Sequence, residues 1–213
     1  MQKDWLSRTG ERDLLLYMLG WGSTPNAVCH IRPSGCDVLA VHHYMSLEPF
    51  GAEEFSVYRR IYLFAWSFGV WAAEQCCREL PLYKAIALNG TPFPSDARYG
   101  MRLRAALRRI NSLARSGLNP FEPAVPGRGE PAGPYPTRDA QDKVEELTRL
   151  AAWSEQNSTA HLRWDKAWIA DKDEMFPPAN MWAWWGSVGL GTGFESYHYP
   201  FADPAIVLRE LEP

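Results

Sequence analysis

The chain alternates between short, nearly unbroken apolar runs and stretches of helical or irregular patterning. Residues 13–19 (Asp-Leu-Leu-Leu-Tyr-Met-Leu) close on Gly20-Trp21-Gly22, and residues 37–41 end at His42-His43. Residues 61–66 (Ile-Tyr-Leu-Phe-Ala-Trp) run straight into Ser67. Further runs at 84–88 and 167–170 stop at Asn89-Gly90-Thr91-Pro92 and at an acidic cluster. A weaker, glycine-rich run at 186–194 precedes His198. Short apolar runs bounded by turn formers predict buried strands. Residues 69–80 instead carry apolar residues at helical spacing and end before Pro81, which predicts a helix. Buried strands interleaved with helices predict an α/β fold: a mostly parallel sheet with helices on both faces.

Between 97 and 160 the pattern changes. Residues 101–116 predict an amphipathic helix with Leu103, Leu107, Ile110 and Ala114 on one stripe. Arg102 and Arg109 flank that stripe on one side, and Arg104, Arg108 and Arg115 on the other. The Pro/Gly-rich stretch 119–136 excludes regular structure, and a second helix is expected over about 138–155. Two helices and a loop between strands predict a small helical lid, residues 97–160, inserted in a single domain spanning 1–213. No internal repeat is visible.

Composition narrows the classes. A chain of 213 residues accommodates one α/β core with a small insertion. A net charge of −3 gives no electrostatic case for nucleic acid. No run of about 18 apolar residues is present, so no membrane span is expected. The N-terminal residues lack an apolar signal-peptide core, which predicts a cytoplasmic protein. Cys76 and Cys77 are adjacent on the predicted helix, where a mutual bridge would be strained, and Cys29 and Cys36 have no paired motif. Reduced thiols and no zinc site are therefore expected. The ten tryptophans are read first as core.

The candidate chemistry starts at Ala65-Trp66-Ser67-Phe68-Gly69, at a strand-to-helix junction. A nucleophile elbow needs small residues two before and two after the serine, because strand and helix approach closely through a strained turn. Gly69 meets that need, and Ala65 adds one methyl. The bland alternative is a serine that caps a helix. Gly20-Trp21-Gly22 follows a neighbouring strand, where such folds place the second oxyanion donor. The expected donors are the N–H groups of Phe68 and Trp21, with Gly20 and Gly22 shaping the loop. Asp173, with Pro177 four residues on, fits the acid's slot after a late strand, with Asp171 as the alternative. His198 follows the last expected strand, where the general base belongs. His42 and His43 precede Ser67 in the chain, and His30 and His161 lie in or beside expected helices. The order Ser67, Asp173, His198 is that of the α/β-hydrolases.

These residues resemble the BioG-type pimeloyl-[acyl-carrier-protein] methyl ester esterases of bacterial biotin synthesis, nearly end to end. The resemblance is carried by Gly20-Trp21-Gly22, Tyr58-Arg59-Arg60-Ile61 and Ala65-Trp66-Ser67-Phe68-Gly69-Val70-Trp71. It continues through Asn89-Gly90-Thr91, Ala167-Trp168-Ile169, Asp173, Pro178-Ala179-Asn180 and His198-Tyr199. That family also has Ala-Trp-Ser in its elbow; the stretch 119–136 departs from it. The resemblance implies a compact α/β-hydrolase that releases methanol from a pimeloyl methyl ester, using Ser67, His198 and Asp173 and no metal or organic cofactor. It implies an acidic acyl carrier protein as partner, for which Arg102, Arg104, Arg108, Arg109 and Arg115 form the expected docking face. These arginines are equally well read as an exposed helix whose stems cover apolar surface. Trp66, Trp71, Trp153 and Trp182 are candidates for the acyl slot, and the chain is expected to act as a monomer. The alternatives are a broad short-chain carboxylesterase, a non-catalytic binding protein on the same fold, and a thiol enzyme using Cys76 or Cys77.

Overall fold

The computed structural model describes residues 1–101, 103–104, 106–108 and 138–211. The strands are β1 (Gln2–Ser7), β2 (Asp13–Met18), β3 (Cys36–His42), β4 (Arg60–Trp66), β5 (Lys84–Leu88), β6 (Lys166–Ala170) and β7 (Gly191–Phe194). The helices are α1 (Phe68–Cys76), α2 (Ala140–Gln156), α3 (Pro178–Trp185) and α4 (Ala205–Leu211), with a 3-10 turn at Pro25–Ala27. Residues 103–104 and 106–108 are also helical.

The seven strands form one sheet in the order β1-β3-β2-β4-β5-β6-β7. All neighbours are parallel except β1, which pairs antiparallel with β3. The expected mostly parallel α/β sheet is therefore present, with β1 added at one edge. Its residues (Gln-Lys-Asp-Trp-Leu-Ser) are exposed or half-buried, so no apolar run announces the strand. Its backbone pairing with β3 holds it.

Alternation along the central strands builds two cores. Leu14, Leu16 and Met18 of β2 face one layer with α1, with Leu147, Leu150 and Ala151 of α2, and with Met181 and Trp185 of α3. Leu15 and Tyr17 face the other layer with Ala27, Phe201, and Ile206 and Val207 of α4. Helical segments thus cover both faces. The expected strand 186–194 is confined to Gly191–Phe194, because the chain leaving α3 first turns: Ser187 N–H donates to the Trp184 carbonyl and Leu190 N–H to the Trp185 carbonyl. The helix expected over 69–80 runs Phe68–Cys76, where the Cys77 N–H closes onto the Ala73 carbonyl.

In-register parallel pairing brings the carboxyl ends of β2, β4, β5 and β6 together: Met18 lies opposite Ala65, Ala65 opposite Ala87, and Leu88 opposite Trp168. The loops leaving these ends carry Gly20-Trp21-Gly22, Ser67, Asn89 and Asp173. In open α/β sheets this is the end at which ligands bind. Among the described residues no helix is long and apolar enough to cross a membrane.

Candidate active site

Ser67 sits between β4 and α1 with φ 58° and ψ −126°. A non-glycine residue held there costs about 1–3 kcal/mol, and the surroundings must enforce it. They do so through backbone. The Ser67 N–H donates to the Leu88 carbonyl at 2.9 Å, and its carbonyl accepts from Val70 N–H at 3.1 Å. A Cβ on Gly69 would lie 2.0 Å from the Met18 carbonyl oxygen, and one on Gly90 would lie 2.3 Å from the Ser67 carbonyl oxygen. Glycine at both positions lets strand, turn and helix approach closely.

His198 Nε2 stands 2.9 Å from Ser67 Oγ, and His198 Nδ1 stands 2.8 Å from Asp173 Oδ2. All three residues are buried. The other Asp173 oxygen accepts the N–H groups of Met175 and Phe176, each at 2.8 Å, which fixes the carboxylate. Phe176 stacks on the His198 ring at 6.2 Å between centroids, with an interplanar angle of 6°. Asp171, the alternative acid, is exposed and accepts the Ser196 N–H instead.

The His198 backbone is held by Trp66 and Asn89, in a role that the sequence assigned to neither. Its carbonyl accepts Trp66 Nε1–H at 2.8 Å and Asn89 Nδ2–H at 2.9 Å. Asn89 is buried, with φ 47°, and also donates to the Tyr197 carbonyl at 3.1 Å while accepting the Ala170 N–H at 2.9 Å. One amide thus ties the end of β6 to the histidine loop. The Asn-Gly turn after a buried strand was the available signal.

The Gly20–Gly22 loop touches Ser67: a Cβ on Gly20 would lie 3.0 Å from the Ser67 Cβ. Gly22 has φ 72°, in the region that favours glycine. Trp21 Nε1–H donates to the Lys143 carbonyl at 2.7 Å, and Gly22 N–H donates to Glu146 Oε2 at 3.0 Å.

With this geometry in place, the likeness to known proteins is informative. The model of the family described as pimeloyl-ACP methyl esterase BioG matches residues 1–205. The chain belongs to the BioG family. The crystal structure of BioG from Haemophilus influenzae matches with a TM-score of 0.82 and 31% identity, over 95% of both chains. A malonyl-[acyl-carrier protein] O-methyltransferase of Bacteroides fragilis is 32% identical over 209 residues, 95% of this chain. The match spans only 42% of that protein's length. At the level of fold alone, a structure from the lipolytic enzymes LipS and LipT matches with a TM-score of 0.57 and 17% identity, over 99% of this chain and 95% of that one. This BioG-family chain is a carboxylic ester hydrolase with an α/β-hydrolase fold.

The remaining expected residues of this family member fall unevenly. Phe68 opens α1 directly after Ser67. Arg104 is 78% exposed and pairs with Glu155 of α2 at 2.9 Å; Arg108 is exposed. Arg102, Arg109 and Arg115 lie outside the described residues, as does the Pro-rich stretch 119–136. Trp66 and Trp71 are buried, with Trp71 Nε1–H on the Asn157 carbonyl, so both belong to the core. Trp182 is 42% exposed and lies over Gly191 and Gly193 of β7. All four cysteines are free. Burial pushes the Cys76 thiol up to about 11 and Cys77 well above its ordinary value, which opposes the thiolate a thiol enzyme needs. His42 is taken by Asp4 at 2.7 Å and His43 by Asp142 at 3.0 Å.

Proposed function

We propose that this chain hydrolyses pimeloyl-[acyl-carrier-protein] methyl ester to the free acid and methanol in biotin precursor synthesis, with Ser67 as nucleophile. The observation that carries the reading is the continuous relay Ser67 Oγ, His198, Asp173 at 2.9 and 2.8 Å, at the carboxyl end of the sheet of a BioG-family chain.

Ser67 Oγ attacks the ester carbonyl while its proton passes to His198 Nε2. Asp173, already doubly hydrogen-bonded to backbone, orients His198 and stabilises its cationic form. The tetrahedral oxygen accepts the N–H groups of Phe68 and Trp21, each worth on the order of 3 kcal/mol in the transition state. Collapse breaks the bond to the methoxy oxygen, which leaves as methanol with the His198 proton. Water then adds to the acyl-serine, its proton going to His198 and on to Ser67 Oγ as the acid is released. The net reaction is ester plus water to acid plus methanol, and the chemistry needs no cofactor.

Residues 97–160 serve in this reading as a helical insertion in one domain. The arginine face formed by Arg102, Arg104, Arg108, Arg109 and Arg115 meets the acidic carrier. The exposure of Arg104 and Arg108 supports that assignment. The deciding experiment offers the purified protein the carrier-linked methyl ester and follows the conversion of ester to acid by mass spectrometry. Turnover of the carrier-linked ester well above that of free dimethyl pimelate is expected. Equal turnover of the two would replace the reading with a broad carboxylesterase.

A further inference from the structure

Helix α2 reaches, from its buried side, the loop after β2, which touches Ser67, and the loop after the neighbouring strand β3. Glu146 is fully buried, and its two oxygens serve different loops. Oε1 accepts the Tyr44 N–H at 2.7 Å, just after β3. Oε2 accepts the Gly22 N–H at 3.0 Å, in the loop after β2, and Arg138 Nη1–H at 2.7 Å. Within the same turn of helix, the Lys143 carbonyl accepts Trp21 Nε1–H at 2.7 Å. Asp142 takes His43 Nε2 at 3.0 Å and Arg138 Nε–H at 2.8 Å. The links to the two loops cross from 99 to 124 residues of sequence.

The loop after β2 gains little rigidity from its own sequence. Two glycines within three residues leave many backbone conformations open. Its internal bond, Ser23 N–H to the Gly20 carbonyl, is long at 3.3 Å. The two bonds from α2 fall on the Trp21 side chain and on the Gly22 N–H that follows it. They therefore fix the residue that carries the Trp21 N–H from its side chain and from its C-terminal peptide. A buried carboxylate paired with a nearly buried arginine is a poor way to gain stability, since desolvation offsets most of the attraction. An oxyanion donor, by contrast, works only if its direction is set before the reaction.

We infer that α2, through Glu146 and the Lys143 carbonyl, positions the oxyanion loop, and that Glu146 is a positioning residue for the ester hydrolysis. The inference rests on the reading of Ser67 as nucleophile and Trp21 N–H as oxyanion donor. The insertion is then part of the catalytic machinery at its buried face, and α2 is a fixed brace.

The test uses the full chain and two variants. Glu146→Gln keeps shape but turns one accepting oxygen into an NH2 group facing an N–H or the Arg138 guanidinium. Trp21→Phe removes the bond to Lys143 and leaves Glu146 in place. Loss of a whole oxyanion donor costs about 10²–10³-fold in kcat. Glu146→Gln, which misdirects the donor, should lower kcat on a small methyl ester about 10- to 100-fold with KM nearly unchanged. Trp21→Phe should show a smaller loss of the same kind. Affinity for a trifluoromethyl ketone, whose serine adduct carries the oxyanion, should fall by the factor lost in kcat/KM. A stable Glu146→Gln enzyme with wild-type kcat, or one whose ketone affinity is untouched while activity falls, overturns the inference. If Glu146→Gln does not fold, Trp21→Phe decides, and wild-type kcat there overturns it. An active Ser67→Ala enzyme would instead remove the underlying reading, so the two failures are distinguishable.

Discussion

The turn at Ser67 and the loop that faces it are built in opposite ways. The turn is held by backbone: its N–H on Leu88, Gly69 against the Met18 carbonyl, and Gly90 against the Ser67 carbonyl. Each of those contacts comes from a sheet neighbour or from the helix the serine begins. The Gly20–Gly22 loop is held by a carboxylate and a carbonyl more than 120 residues further along. One half of the proposed site is thus a local property of strand, turn and helix, and the other is held by helix α2. With Ser67 as the proposed nucleophile and Trp21 N–H as the proposed oxyanion donor, changes in α2 should therefore damage oxyanion stabilisation and leave the geometry of Ser67 alone.

The largest expected effects belong to the locally built half. Ser67→Ala should preserve folding and lower turnover by roughly 10⁶-fold. The hydroxyl oxygen is the proposed nucleophile, whereas the turn is held by backbone that alanine retains. Next comes the acid. Asp173→Asn should cost about 10⁴-fold in kcat, because its oxygen stays with the Met175 and Phe176 N–H groups, leaving a neutral NH2 that imposes the wrong tautomer on His198 and cannot stabilise its cation. Asp171→Asn, whose carboxylate only receives Ser196 N–H at the surface, should stay within about twofold of wild type. A reversed ranking would show that His198 turns to Asp171 in the working enzyme.

A smaller loss is expected at Asn89. Asn89→Ala leaves the Ala170 N–H without its acceptor and removes both donations to the carbonyls of the histidine loop. An unsatisfied buried donor costs about 1–3 kcal/mol, which a denaturant titration reads directly. The kcat should fall about tenfold, because the Trp66 Nε1–H bond still holds the His198 carbonyl. An unchanged kcat in a destabilised protein would make Asn89 a fold residue only.

The same contrast explains what the sequence discloses. Strands β2, β4, β5 and β6 are covered on both faces, so they read as unbroken apolar runs and are found almost to the residue. The serine, aspartate and histidine lie just past strand ends, at slots that chain order specifies. Strand β1 escapes because an edge strand held by backbone pairing needs no apolar signature. Helix α3 escapes because five of its eight residues are tryptophan or alanine of mixed burial, with Trp182 partly exposed over β7 glycines. Glu146 escapes because it stands beside Glu145, which makes an ordinary surface pair with Arg149. Yet Glu146 shares the buried stripe of α2 with Leu147, Leu150 and Ala151. A carboxylate on an apolar stripe was the legible sign, although its partner, an amide in a Gly-x-Gly loop, was not.

The smallest expected effect concerns the exposed arginines Arg104 and Arg108. Arg104 projects into solvent but already pairs with Glu155 of α2, so part of the basic face is spoken for. If that face docks an acidic carrier, Arg104→Glu with Arg108→Glu should raise KM for the carrier-linked ester by about 3- to 10-fold at low ionic strength. The effect should fade toward physiological salt, because exposed charges act through screened encounter. Reversing Arg104 also sets two carboxylates against each other at Glu155, so hydrolysis of a small free ester is the necessary control. It should be unchanged if the brace on the buried side of α2 is intact. Glu155→Gln should act in the opposite direction, releasing Arg104 and lowering the carrier KM slightly. An equal loss on both esters would mean that disturbing the outer face disturbs the oxyanion loop as well. No loss on either would leave these arginines to solubility. A carrier-selective, salt-sensitive change of opposite sign in the two variants separates docking on one side of the insertion from positioning on the other.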